Sequence, residues 1–221
     1  MNPTTLNRTR RVVGTALAAA TLAAALSACA PLIVGGAVVG GVMAVDRRTA
    51  GTQIEDEGIE LRAANRIREA LGDRAHVNVT SYNRQALLTG EVATAQDRQA
   101  VEQMVSQVEN VRSVVNDLAV MPSSTLSQRS TDTFITGKVR ASLVDAQDIS
   151  ANSFKVVTER NIVYLMGRVS QREANRATDI ARGVSDVRKV VRVFEIVSEE
   201  ELRRIAPQPA PVTTDTKPAG G

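Results

Sequence analysis

Apolar positions along this chain follow two periods, and one succession of those periods is written twice. Ala63, Ile67 and Leu71 recur every four residues, which predicts a helix over about 59–71 with that face buried. Alternation then predicts strands near 75–82 and 85–92, joined by the polar turn Ser81-Tyr82-Asn83-Arg84. Thr94-x-x-Asp97 is a capping signal for a helix carrying Ala100, Val101, Met104, Val105 and Val108. Val111 to Val120 closes the unit as a strand. A Pro- and Ser-containing linker, 121–130, leads into the second copy. There the predicted elements are a helix over 132–144, strands over 154–159 and 162–169, a helix from Ser170-x-x-Glu173 to about Gly183, and a strand over 188–197.

The two copies can be set against each other. Leu88-Thr89-Gly90-Glu91-Val92 matches Leu165-Met166-Gly167-Arg168-Val169, and Val108-x-x-Val111-x-x-Val114-Val115 matches Val184-x-x-Val187-x-x-Val190-Val191. Such self-similarity defines a unit of roughly 60 residues, small but able to fold alone. Each unit reads helix, strand, strand, helix, strand, an α+β arrangement with two helices on one face of a three-stranded mixed sheet. Gly90 and Gly167 end strands at equivalent points, so both are expected to be structural.

This doubled apolar-x-Gly-x-Val strand end, followed by a helix and a Val-x-x-Val-x-x-Val-Val run, resembles the BON domain. A pair of them behind a lipoprotein leader is similar to the stress- and division-associated lipoproteins of Gram-negative outer membranes. The organisation expected from this is a leader at 1–28, an acylated cysteine and glycine-rich tether at 29–58, domains at 59–121 and 131–198 around a linker at 122–130, and a C-terminal helix end and Pro-rich tail at 199–221.

The leader has Arg8, Arg10 and Arg11 ahead of an apolar run, Val12 to Leu26. Leu26-Ser27-Ala28-Cys29 resembles a lipobox, which makes Cys29 the lipidation site, and Ala30 in place of an aspartate implies outer-membrane sorting. Residues 32–45 are apolar but interrupted by four glycines, a membrane-hugging tether rather than a span. Asp46 to Glu60, with five acids and two arginines, reads as a solvated spacer. The tail 206–221 reads as disordered.

Charge changes the picture once the leader is set aside. It carries three of the 27 basic residues and no acid, so residues 29–221 hold 24 of each sign. The basic balance is therefore no argument for nucleic acid. Catalysis is not expected: there is no phosphate loop, no GxSxG and no Cys/His metal spacing, and the single histidine, His76, reads as a surface residue. No cofactor and no metal are expected.

Comparing the copies isolates one stripe. With Leu71 set against Leu143, Phe134 falls opposite Arg62 and Val144 opposite Gly72. At 100° per residue Phe134, Lys138, Ala141 and Val144 lie roughly opposite the Ile135-Val139-Leu143 face, with Arg140 on the flank. An outward aromatic among basic residues suits a lipid interface; packing against the first repeat is the alternative. Residues 131–197 hold 11 basic and 8 acidic side chains, whereas 61–120 hold 7 of each. The family resemblance likewise implies binding of anionic phospholipid, phosphatidylglycerol or cardiolipin, through this helix, with enrichment at the division site on the periplasmic face. The rival expectation is a scaffold whose open sheet edges bind outer-membrane assembly proteins.

Overall fold

The computed structural model describes residues 46–205. Cys29, the leader, the 32–45 segment and the tail after 205 lie outside them. No helix among the described residues is long and apolar enough to cross a membrane.

The elements in order are α1 (Ala50–Leu71), β1 (His76–Tyr82), β2 (Gln85–Val92), α2 (Ala95–Ser106), β3 (Ser113–Asn116), β4 (Ala119–Val120), α3 (Leu126–Asp145), β5 (Lys155–Glu159), β6 (Ile162–Val169), α4 (Gln171–Arg182), β7 (Lys189–Ile196) and α5 (Glu199–Ile205). In each half the central strand pairs antiparallel with its predecessor and parallel with its successor, β1-β2-β3 and β5-β6-β7. The parallel partner is reached through a helix, as a parallel crossover requires.

Three expectations are corrected. Asp46 to Glu60 is not a solvated spacer, because α1 begins at Ala50 and buries Asp56. Half of the expected linker is helical too: Thr125 and Gln128 form a reciprocal capping box that starts α3 at Leu126. The strand expected over 111–120 is broken at Asp117-Leu118. Both pieces still pair parallel with β2, and Asn116 Oδ1 accepts from Leu118 N–H at the break.

Alternation along the central strands builds three cores. Ala86, Leu88 and Val92 of β2 face α1 and α2, which contribute Ile59, Ala63, Ile67, Val101 and Val105. Val163, Leu165 and Val169 of β6 face α3 and α4, meeting Ile135, Val139, Leu143, Ala174, Ala177 and Ala181. The intervening residues point the other way, and Leu87, Tyr164, Met166 and Val193 with Tyr82 form a third core between the sheets. Residues 46–205 therefore form four layers, with sheet against sheet inside and helices on both outer faces.

Polar bonds frame that central core. Tyr164 Oη donates to Asp117 Oδ2 at 2.6 Å, Arg160 Nη1 to the Gly90 carbonyl at 2.8 Å, and Lys155 Nζ to Glu60 Oε1 at 2.7 Å. Ahead of α1, Arg47 pairs with Glu173, 2.7 and 2.8 Å, and with the Arg168 carbonyl, which ties the start of the fold to the second domain.

Gly90 and Gly167 sit where the preceding backbone presses on the central strand. Gly90 has φ +110°, and a Cβ there would lie 2.0 Å from the His76 carbonyl oxygen. At Gly167 a Cβ would lie 2.4 Å from the Ser153 carbonyl oxygen. Neither place admits a side chain unless the backbone moves.

Candidate functional site

The stripe singled out above lies on α3, a helix held rigidly from its inner side. Ile135, Val139 and Leu143 are essentially unexposed. One turn before Ile135, Asp132 accepts the backbone N–H groups of Arg160 and Asn161, both at 2.8 Å, and so fixes the hairpin turn between β5 and β6 to the helix. Those turn residues are left-handed, φ +53° and +61°, a conformation that costs non-glycine residues energy and that the carboxylate offsets.

The apolar side chains of the outer side stand open among the described residues. Phe134 is 67% exposed and Val144 68%, and Ala141 between them is exposed as well. The stripe also includes Leu126, 80% exposed, which begins α3 instead of lying in a linker. Its counterpart at the start of α1 is Ala50, so the large apolar side chain is peculiar to the second repeat. Ser130 and Gly137 fill the rest of the stripe, giving a smooth face broken by three large apolar side chains.

The cations divide unequally. Lys138 Nζ lies 5.1 Å from the Phe134 ring centroid, a cation–π distance, and at 2.7 Å from Asp186 Oδ2 and 2.7 Å from Ser185 Oγ. Lys138 in turn holds the Asp186 carboxyl below the usual carboxylate range. Arg140 is exposed; among the described residues its one hydrogen bond is a long one, 3.4 Å, to the Val156 carbonyl. It lines a crevice of about 480 Å³ between the domains, whose walls include Arg48, Tyr82, Leu143, Val144 and Phe154. The remaining phenylalanines, Phe154 and Phe194, pack edge to face at 5.9 Å inside the second domain.

His76 departs from the surface reading. It is half-buried, with Nδ1 3.1 Å from Oε2 of Glu91, a residue with no exposed surface. Glu91 also accepts from Ser124 N–H at 3.0 Å and Arg160 Nη1 at 3.1 Å. Burial alone would raise its carboxyl, but these donors and His76 hold it below the ordinary range. Glu159, across the seam, behaves oppositely. Burial raises it and Glu91 and Asp132 add to the rise, against one bond from Asn78 at 2.9 Å.

Two α-β-β-α-β units with a mixed three-stranded core, repeated in tandem, define a class: the BON domain matches residues 59–122 and 131–198, and the chain belongs to the BON-domain family. Over 172 residues it is 36% identical to the outer membrane lipoprotein DolP of Haemophilus influenzae, 77% of this chain and 89% of that one. It is 34% identical over 155 residues to the 21 kDa hemolysin of Actinobacillus pleuropneumoniae, 69% of this chain and 80% of that one. A shorter match, 42% over 60 residues, is to the osmotically-inducible protein Y of Escherichia coli, 27% of this chain and 30% of that one.

Proposed function

We propose that this chain is an outer-membrane lipoprotein, anchored through Cys29 on the periplasmic face, that applies α3 to anionic phospholipid and supports envelope integrity. One observation carries the reading: the Leu126-Phe134-Val144 stripe stands exposed on a helix whose opposite face already fills a core. Kinship with DolP and the net positive second domain support it. Burying a phenylalanine contributes roughly 1.5–3 kcal/mol and each basic residue near an anionic surface about 1. Arg140 is the freer cation; Lys138 first has to leave Asp186. In a cell the same reading puts the protein at sites rich in phosphatidylglycerol or cardiolipin, including the division site.

Phe134→Glu tests this. Co-sedimentation with phosphatidylglycerol vesicles should weaken at least tenfold, because apolar contact is lost and repulsion added, while thermal melting stays unchanged. Normal melting with undiminished binding would place the lipid face elsewhere.

A second reading, a scaffold for outer-membrane assembly proteins, is favoured by the sheet edges. Val120 and Ile196, at matching ends of the outer strands, are both 49% exposed. Ile196→Lys would impair capture of a protein partner and leave vesicle binding intact.

A further inference from the structure

We propose that His76, Glu91 and Glu159 form a divalent-cation site of the zinc type that staples the two BON domains together. His76 and Glu91 face one another as register partners of β1 and β2, and Glu159 ends β5 in the other domain. One donor atom from each lies within 4.8 Å of the others. The 3.1 Å between His76 Nδ1 and Glu91 Oε2 is near the ~3.3 Å expected between two ligands on one tetrahedral ion with bonds of about 2.0–2.1 Å. A side-chain adjustment of Glu159 completes the set.

Three features point to a cation rather than to a chance cluster. Glu91 and Glu159 are 0% and 3% exposed, and Asn78 reaches Oε2 of Glu159 while no donor among the described residues reaches its Oε1. Two ionised carboxylates so placed repel each other in a dry environment, and Asp132 adds a third negative charge nearby. Arg129 and Arg160 oppose these three, so the cluster remains net negative. The supporting groups are also those a metal site uses: Asn78 orients Glu159, while Ser124 N–H and Arg160 orient Glu91. A cavity of about 350 Å³ lined by His76, Asn78, Arg129, Asp132 and Glu159 gives an entry path and room for the water that would fill an open coordination position.

An imidazole with two carboxylates suits zinc better than magnesium, which favours oxygen ligands. His76 is the single histidine of the chain and Cys29 the single cysteine, so no second imidazole competes.

The test uses the full-length lipidated protein in detergent, stripped with a chelator and titrated with zinc or magnesium chloride. Calorimetry should give one zinc per chain. Zinc at a hundredfold over its Kd should raise Tm by about 5–10 °C. His76→Ala and Glu159→Gln should each weaken zinc binding at least tenfold. Glu159→Gln keeps the Asn78 bond and the side-chain shape, so it reports charge without disturbing the fold. An absence of saturable zinc binding in the wild type overturns the site, as does binding unchanged in both variants. An equal response to magnesium overturns the role of His76.

Discussion

Asp56 in α1 and Asp132 in α3 do the same work from equivalent positions, each seven residues after its helix cap. Each carboxylate accepts the two backbone N–H groups of its own repeat's hairpin turn, Asn83 and Arg84 at 2.8 and 2.7 Å, Arg160 and Asn161 at 2.8 Å each. The alignment of Leu71 with Leu143 expected from sequence puts Glu60 opposite Asp132; the structure corrects it by one turn and puts Asp56 there, with Ile67 opposite Leu143. Glu60 is spent elsewhere, accepting from Ser81 N–H and from Lys155 Nζ, both at 2.7 Å. Caps and buried faces agree with that register: Thr49, Asp56, Ile59, Ala63 and Ile67 of the first repeat stand where Thr125, Asp132, Ile135, Val139 and Leu143 stand in the second.

Asp56→Asn should destabilise the protein at neutral pH by about 2–4 kcal/mol, since it leaves Arg48 short of a buried partner. Burial works to raise the Asp56 carboxyl, but the Arg84 N–H, Ser81, Arg48 and the Asn83 N–H together hold it below its ordinary value. A depressed carboxyl stabilises the fold above its unfolded pKa, and that contribution is lost as pH falls through the folded one. Urea melts should show the gap between variant and wild type narrowing below about pH 4. A gap that held constant from pH 7 to 3 would contradict this.

Glu159 has the opposite sign. Its carboxyl is raised, by burial first and by Glu91 and Asp132 next, so in metal-free protein its ionisation costs stability as pH rises through the folded pKa. Glu159→Gln should melt later than wild type at pH 8 in the presence of chelator, and the gain should vanish below pH 4. A variant that is less stable at pH 8 would show that the ionised carboxylate is a net support of the seam.

At the strand ends, Gly167→Val should cost about 1–3 kcal/mol by thermal melting, and Gly90→Ala should reach the upper end of that range with a smaller side chain. The difference follows from φ, because Gly90 combines the close approach to His76 with a left-handed backbone. Equal costs for Gly90→Ala and Gly167→Ala would show that steric contact alone matters.

The ion pair on the α3 face gives a less obvious expectation. Asp186→Asn releases Lys138, so binding to phosphatidylglycerol vesicles at low salt should tighten about three- to fivefold. Lys138→Ala should weaken binding less than Arg140→Ala does, and added salt should compress all of these differences. Sedimentation isotherms in which Lys138→Ala is the more damaging change would mean that the Asp186 pair opens at the membrane.

Much of the fold was legible because period and repeat agreed. The bounds of β2 and β6 match the expected strands, and Ala63, Ile67 and Leu71 are the core face of α1. Residues 50–58 were misread because the helix there is fastened by a carboxylate rather than by an apolar stripe, and acids without periodicity look like spacer. The face-to-face packing of the sheets left a trace in the apolar Leu87, Tyr164 and Met166 among already apolar neighbours, which is how strands covered on both faces read. Alternation cannot say what covers the second face. The expected pairing of Arg62 with Phe134 is corrected to Gly58 with Phe134, because an every-fourth-residue apolar stripe fits equally well when slid by one turn; the Asp186 partner of Lys138, 48 residues away in sequence, was beyond any local pattern.

The doubled sheet in the middle makes the protein two-sided. With α1 and α2 on one outer layer and α3 and α4 on the other, Ile54 and Leu61, 70% and 64% exposed on α1, belong to a different layer from Phe134. Whatever α1 held would not compete for the docking helix. It would also meet other surface-bound partners at the raised effective concentration that tethering confers, so a weak grip on each side could add up to a strong bridge.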